Sequence, residues 1–210
     1  MAKYIIGIDE VGRGCLAGPV FVAAVLLPSG KRIRNKNLGR LKDSKKLTEN
    51  LREKWYDYFL LNKMPFAFAS VGPKKIDKLN ISRAANMAAL KAYKKLLKSY
   101  RSQVISSKVF LDGGLYLGTK EFGKKFSETI VKADEKFSAV KAASIIAKVK
   151  RDKLMKKLAK KYPSYGLERH KGYGTKILEF ALIKAKKLRL QKVLVTCDES
   201  NIASKKIIEK

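Results

Sequence analysis

Tyr4-Ile5-Ile6-Gly7-Ile8-Asp9-Glu10-Val11-Gly12-Arg13-Gly14-Cys15-Leu16-Ala17-Gly18-Pro19-Val20 is the stretch on which the reading of this chain turns. An apolar, β-branched run delivers two adjacent carboxylates, Asp9 and Glu10, into a glycine-rich turn that carries one arginine. Neighbouring acids at the end of a buried strand cost free energy through desolvation and like-charge repulsion, and a cation beside them is the usual remedy. The stretch reads as half of a metal site.

Working outward, Val20 to Leu27 is a second apolar run and predicts a strand next to the first. Lys31 to Lys42 is a basic, polar connection that ends in Asp43-Ser44-Lys45-Lys46. Thr48 is a candidate N-cap for a helix to about Leu61, with Leu51, Trp55, Tyr58 and Phe59 on one face. Phe66 to Val71 reads as a third strand, and Ile81 to Tyr100 has the spacing of an amphipathic helix. Lys108 to Leu111 predicts a short strand ending in Asp112, and Thr129 to Ala133 another ending in Asp134. From Ala139 to Tyr162 the pattern is helical, with Val140, Ala143, Ile146, Ala147 and Leu154 on one face. Lys141, Lys148, Lys150, Arg151, Lys156 and Lys157 fall on the other, a basic face that is solvated or lines a nucleic-acid duplex. Strands that alternate with helices indicate a mixed α/β domain.

Asp9 with Glu10, Asp112 and Asp134 thus stand at the ends of three strand candidates, and one sheet edge can gather them. Taken singly, each acid is an ordinary loop residue or N-cap. Taken together they form a hard oxygen donor set, suited to Mg²⁺ or Mn²⁺ rather than Zn²⁺. Such a set can hold two divalent ions roughly 3.5–4 Å apart for phosphodiester hydrolysis.

With 48 Lys+Arg against 18 Asp+Glu, the formal charge is +30. A surplus of that size attracts polyanions, nucleic acid first among them, although a lysine-rich proteome would contribute to it. At 210 residues the chain is long enough for one domain with a full core, with or without an appendage. Cys15 and Cys197 have no metal-type spacing, which argues against a disulfide framework or a zinc site and for a reducing, cytoplasmic setting. No apolar run approaches membrane-spanning length, and none resembles a signal region. Gly12-x-Gly14-x-x-x-Gly18 is one residue too long for a dinucleotide fingerprint, and Lys31-Arg32 stands where a ribose-binding acid is wanted.

Ile8-Asp9-Glu10-Val11-Gly12-Arg13-Gly14-Cys15-Leu16-Ala17-Gly18-Pro19-Val20 resembles the signature of ribonuclease HII, the type 2 ribonuclease H family. The resemblance continues through Asp43-Ser44-Lys45-Lys46-Leu47, Leu111-Asp112-Gly113, Val131-Lys132-Ala133-Asp134, Ala142 to Val149 with Arg151-Asp152, and His170-Lys171-Gly172-Tyr173. It implies an RNase H-like fold, a central mixed β-sheet flanked by helices. It implies endonucleolytic cutting of the RNA strand in RNA–DNA hybrids and at ribonucleotides embedded in duplex DNA. The family's catalytic, metal-holding carboxylates fall on Asp9, Glu10, Asp112 and Asp134, and its junction-reading motif on Gly12, Arg13 and Gly14. Tyr173 matches the aromatic that stacks on a sugar, and Ser44 and Lys45 match secondary phosphate contacts or serve helix entry. His170, the only histidine, takes a supporting role. The enzyme implied is monomeric, with no obligate protein partner.

The C-terminus departs from this pattern. Gly172 to Lys210 is similar to the latter part of GNAT-type N-acetyltransferases, and Arg169-x-x-Gly172-x-Gly174 fits their pyrophosphate loop. The expected organisation is a ribonuclease HII-like catalytic domain over 1–171 joined to an atypical α/β segment over 172–210, not an independent domain. Within it Ile177, Leu178, Ala181, Leu182, Ala185 and Leu188 form an apolar helical stripe, and Val193 to Thr196 reads as a strand. Three function classes follow: a two-metal ribonuclease, a basic nucleic-acid binder that has lost catalysis through its altered ending, and an acetyltransferase fragment resting on the tail alone.

Overall fold

The computed structural model describes residues 3–118, 127–174, 182–184 and 186–188. Five strands form one mixed sheet: β1 (Tyr4–Val11), β2 (Val20–Pro28), β5 (Phe66–Val71), β6 (Ser107–Asp112) and β7 (Ser127–Ile130), in the order β5-β2-β1-β6-β7. β2 runs antiparallel to both β1 and β5, whereas β1, β6 and β7 run parallel. A short hairpin, β3 (Arg34–Asn35) and β4 (Gly39–Arg40), stands apart in the basic connection. The mixed α/β sheet expected from the sequence is the fold observed.

Both faces of the sheet are covered. Ile6 and Ile8 of β1 pack with Val20, Val22, Ala24 and Leu26 of β2 against α3 (Ile81–Ser99), whose contact stripe is Ala84, Ala85, Ala88, Ala89 and Ala92. A stripe of alanines lets the helix axis come close to the strands. On the other face Ala23, Val25 and Leu27 pack with Trp55 and Phe59 of α1 (Glu49–Leu61) and with α6 (Ser138–Lys161). β2 is buried along nearly its whole length, which explains its continuous apolar run. α1 starts as its sequence predicts, with the Thr48 hydroxyl accepting from Leu51 N at 3.3 Å. Asn80 caps α3 in the same way, accepting from Arg83 N at 3.0 Å. Pro73 opens the short helix α2 (Pro73–Leu79), and α4 (Arg101–Ile105) leads into β6.

Three expectations need correction. Asp9 and Glu10 do not end β1, which continues through Val11 because Glu10 and Val11 still pair with Val22 and Phe21. β7 stops at Ile130, and Asp134 belongs to the first turn of α5 (Ala133–Lys136), after Lys132 turns the chain with φ +57°. Arg151 does not lie on a solvated face; it is wholly buried. α6 is covered on most sides between Ala139 and Lys150, so its charged face narrows to Lys141, Lys148 and Lys150 there.

The chain divides into two compact units, Met1–Arg13 with Pro19–Arg151, and Gly14–Gly18 with Asp152–Lys210. In the second, Leu16 N donates to Gly172 O at 2.8 Å, and Cys15 forms an isolated antiparallel bridge with Tyr173. Met155, Ala159 and Leu167 of α6 and α7 (Leu167–His170) make a small cluster there. Leu182 and Leu188 are exposed, by 48% and 62%, so the apolar stripe expected of the tail is not buried at these positions. Its other members, and the strand expected over Val193 to Thr196, lie outside the described residues.

Candidate active site

The carboxylates meet because of strand register. Ile8 of β1 pairs with Leu111 of β6, so Asp9 and Asp112, one residue further on, lie side by side on adjacent parallel strands. Side chains alternate along a strand, and this decides their direction. Ile6 and Ile8 take the α3 face, which leaves Ile5, Gly7 and Asp9 to the α6 face. Val109 and Leu111 likewise leave Phe110 and Asp112 on the α6 side, where Phe110 packs with Val140. Gly7 is where α6 comes closest: a Cβ built there would stand 2.2 Å from Val140 N.

Asp9 is 5% exposed, and its carboxyl is pushed well above the usual range by burial, then by the charges of Glu10 and Asp112; a hydrogen bond from Ser144 works against this. Its Oδ1 also accepts from Glu10 N at 2.7 Å. Ser144 shares a 2.7 Å hydrogen bond with Ser44, which is buried as well. Ser44, Ser144 and Asp9 therefore form one relay, from the turn after the basic connection, through α6, to β1. Lys45, the next residue, is exposed, and its charge acts on Asp134.

Glu10 is also raised by burial, lowered by Arg13 and raised again by Asp112. Its Oε1 lies 3.2 Å from Arg13 Nε, while its Oε2 is buried with no hydrogen-bond partner. Arg13 is held at its far end too, donating from a terminal nitrogen to Gly114 O at 3.0 Å. Asp112 Oδ1 accepts from Ala133 N at 2.7 Å, which ties the end of β6 to the start of α5. Asp134 is raised by burial and then by the charges of Asp112 and Asp43. Beside it the Lys141 ammonium, lowered by burial and by Arg40, donates to Glu135 O at 2.7 Å.

The two glycines of the turn differ. Gly12 is buried at φ +107°, and a Cβ there would meet Arg151 Nε at 2.8 Å and Pro19 O at 2.9 Å. Arg151 Nε donates to that same Pro19 O at 3.0 Å, so Gly12 is glycine for a structural reason. Gly14 is exposed, and a Cβ there would meet nothing within 4 Å. In the second unit Tyr173 is 36% exposed. His170 is buried beside it, with Nδ1 accepting from Gly172 N at 3.0 Å and Nε2 2.6 Å from Tyr165 O.

Among the described residues, no three His, Cys, Asp or Glu side chains already surround one point closely enough to hold an ion. Arg13 occupies one oxygen of Glu10, and backbone amides occupy one oxygen each of Asp9 and Asp112. The donor set nevertheless suits a hard divalent cation. It offers only carboxylate oxygens, it has an orphaned buried oxygen on Glu10, and the charge of Asp112 helps to raise Asp9, Glu10 and Asp134. Sequence reasoning gave no role to Ser144, Gly7 or Lys141. The signals for them were a lone hydroxyl in an alanine-isoleucine helix, a glycine inside a strand, and a lysine in the first turns of that same apolar helix.

The family model described as Ribonuclease HII matches residues 6–196. The chain belongs to the ribonuclease HII family. A protein named Ribonuclease HII from Fusobacterium nucleatum is 45% identical over 206 residues, 94% of this chain and 90% of that one. Another of that name from Bacillus cereus is 44% identical over 174 residues, and there the chain spans only 61% of its relative's length. The crystal structure of ribonuclease H2 from Pyrococcus horikoshii aligns at TM-score 0.58 and 26% identity, covering 98% of this chain and 97% of that. Bst-RNase HIII in complex with Mn²⁺ aligns at 0.68 and 23%, covering 98% and 69%, a likeness of fold.

Family membership makes the chain a ribonuclease H enzyme, a nuclease with a nucleic-acid substrate. It gives no support to the acetyltransferase reading of Gly172 to Lys210, because the ribonuclease HII match runs through the supposed join to residue 196. At the loop itself, Gly172 N and Tyr173 N already donate to His170 Nδ1 and His170 O, so those two amides are not open to a pyrophosphate. Among the described residues, no helix is long and apolar enough to cross a membrane.

Proposed function

We propose that this ribonuclease HII cuts the RNA strand of RNA–DNA hybrids and the phosphodiester at single ribonucleotides embedded in duplex DNA, with divalent cations held by Asp9, Glu10, Asp112 and Asp134. The observation that carries this reading is the register that sets Asp9 beside Asp112, with Glu10 and Asp134 within electrostatic reach. Mn²⁺ or Mg²⁺ bound there supplies charge neutralisation, activation of a water and stabilisation of the leaving oxygen. The protein's own residues supply the rest.

Burial excludes bulk water from Asp9, and Ser144, braced by Ser44, fixes the rotamer of its carboxylate. Glu10 would hold a cation through its unpartnered Oε2, and the Arg13 guanidinium beside it would offer its charge to a phosphate. Gly14, with open space above it, lets backbone groups approach the 2′-hydroxyl that separates RNA from DNA. Gly12 shapes the turn, Lys45 faces solvent as a phosphate contact, and Tyr173 offers a partly exposed ring to a sugar. The enzyme acts as a monomer in the cytoplasm. A duplex with one embedded ribonucleotide is the test: cleavage requires Mn²⁺ or Mg²⁺ and is lost in Asp9→Asn and Asp112→Asn. Undiminished cleavage by either variant would remove the carboxylates from the reaction. Binding of the duplex without cutting by the wild type would leave only a nucleic-acid binder.

A further inference from the structure

At the opposite end of β1 from the carboxylates the first unit contains a cavity of about 590 Å³, within the size range of ligand sites. Tyr4 at the start of β1, Tyr58 of α1 and Tyr100 after α3 line it, together with apolar residues such as Leu26, Ile33 and Met64. Lys31, Arg32 and Arg34 contribute cations, all three residues are exposed, and among the described residues no acidic one lines it. Asp9 lies five residue steps along the strand from Tyr4, roughly 17 Å at the usual rise, so the cavity is not an extension of the carboxylate site.

We propose that this cavity is a second nucleic-acid site, which takes a nucleobase together with its phosphate. Cations alone would suit any anion, an acidic peptide included, but such a ligand has no use for three tyrosine rings. Rings alone would suit an apolar ligand, which has no use for three cations in a wall without acids. A base with its phosphate uses both, because every base has a π-face for stacking and every nucleotide carries the charge. The Tyr58 hydroxyl donates to Arg34 O at 3.4 Å, which ties one ring to the backbone that carries a cation. The site also gives a purpose to the start of the basic connection, Lys31 to Arg34, which the carboxylate chemistry leaves unused.

Two sources supply this chemistry, a free nucleotide and a single strand that extends beyond the duplex. Calorimetric titration of the full chain in EDTA with deoxyadenosine monophosphate and with a single-stranded deoxyadenosine tetranucleotide tests the proposal and separates them. Saturable binding is expected, and Trp55 emission should change with it, since the Trp55 ring lies edge-on to Tyr58 at 5.5 Å. The Arg32→Ala/Arg34→Ala double variant should bind about tenfold more weakly or worse. It should cleave hybrids at the wild-type rate. Lys74→Ala/Lys75→Ala, on the exposed face of α2, should bind as the wild type does. Equal affinity for both probes assigns the site to free nucleotides; about tenfold tighter binding of the tetranucleotide assigns it to a strand. No binding of either probe, or equal weakening by both double variants, overturns the proposal.

Discussion

Gly7→Ala puts the packing of the site under direct test. The new Cβ would stand 2.2 Å from Val140 N, 2.3 Å from Ala139 C and 2.7 Å from Ala139 O, all atoms of the α6 backbone. No rotamer change relieves a clash with backbone. To reach the 3.4 Å at which ordinary contact begins, α6 and β1 must separate by about 1.2 Å. Overpacking costs about 1–3 kcal/mol, and a backbone obstacle belongs at the upper end. Replacing a strand glycine recovers about 0.5–1 kcal/mol of chain entropy, so the expected net loss is about 2 kcal/mol. Urea denaturation reads this as a midpoint lowered by about 1 M, for a slope of about 2 kcal/mol/M. Ser144 rides on the same helix, so its hydrogen bond to Asp9 moves as well. A misplacement of about 1 Å can cost about a hundredfold in rate, and single-turnover cleavage should fall by that order. An unchanged midpoint with full activity would refute the claim that contact at Gly7 sets the distance between helix and carboxylate.

Metal-free stability should depend on pH through the carboxylates. Asp9, Glu10 and Asp134 bind protons more tightly in the folded state than their ordinary values of 3.8, 4.5 and 3.8, so their contribution is full below those values and is lost as pH rises through the raised ones. Thermal melts in EDTA should therefore show wild type losing stability relative to Asp9→Asn as pH climbs through that window, and Mg²⁺ or Mn²⁺ should reverse the trend. A difference independent of pH would contradict it. Ser144→Ala removes the hydroxyl between Ser44 and Asp9, and metal-dependent activity should fall about 10–100-fold, with Ser144→Thr restoring part of it. Equal activity of the alanine variant would show that Asp9 needs no such brace. Arg151→Leu deprives Pro19 O of its donor and uncovers Gly12, and unfolding free energy should drop by about 3 kcal/mol. A drop below about 0.5 kcal/mol would mark the guanidinium as dispensable.

The convergence of Asp9 and Asp112 was legible in the sequence because each follows an apolar run that must be a strand, and adjacent parallel strands in register bring such positions together. Asp112 fits that rule. Asp134 follows it only loosely, because Val131, 75% exposed, is not strand and Lys132 adopts a left-handed turn that no propensity announces. Ser144 and Gly7 stayed silent for another reason. A serine in a helix and a glycine in a strand are each unremarkable until the opposing element is in place. Arg151 was misread because period alone cannot tell a basic helical face in solvent from one residue of that face turned into the protein. The tail was misread because a glycine-rich helix entry is a short pattern shared by unrelated phosphate binders, whereas the whole-length match is not.

β1 is flanked by β2 and β6 and covered on both faces, and its amides cannot reach solvent by local fraying. Opening of Ile6 to Asp9 requires the first unit to come apart, so their hydrogen exchange reports the global free energy of that unit. The exposed turns and the short strand β7 exchange long before that. The chemistry proposed for Asp9 is thus fastened to the part of the first unit that opens last. Under rising denaturant, loss of catalysis and loss of that unit's structure should trace one curve, whatever the loops around them do.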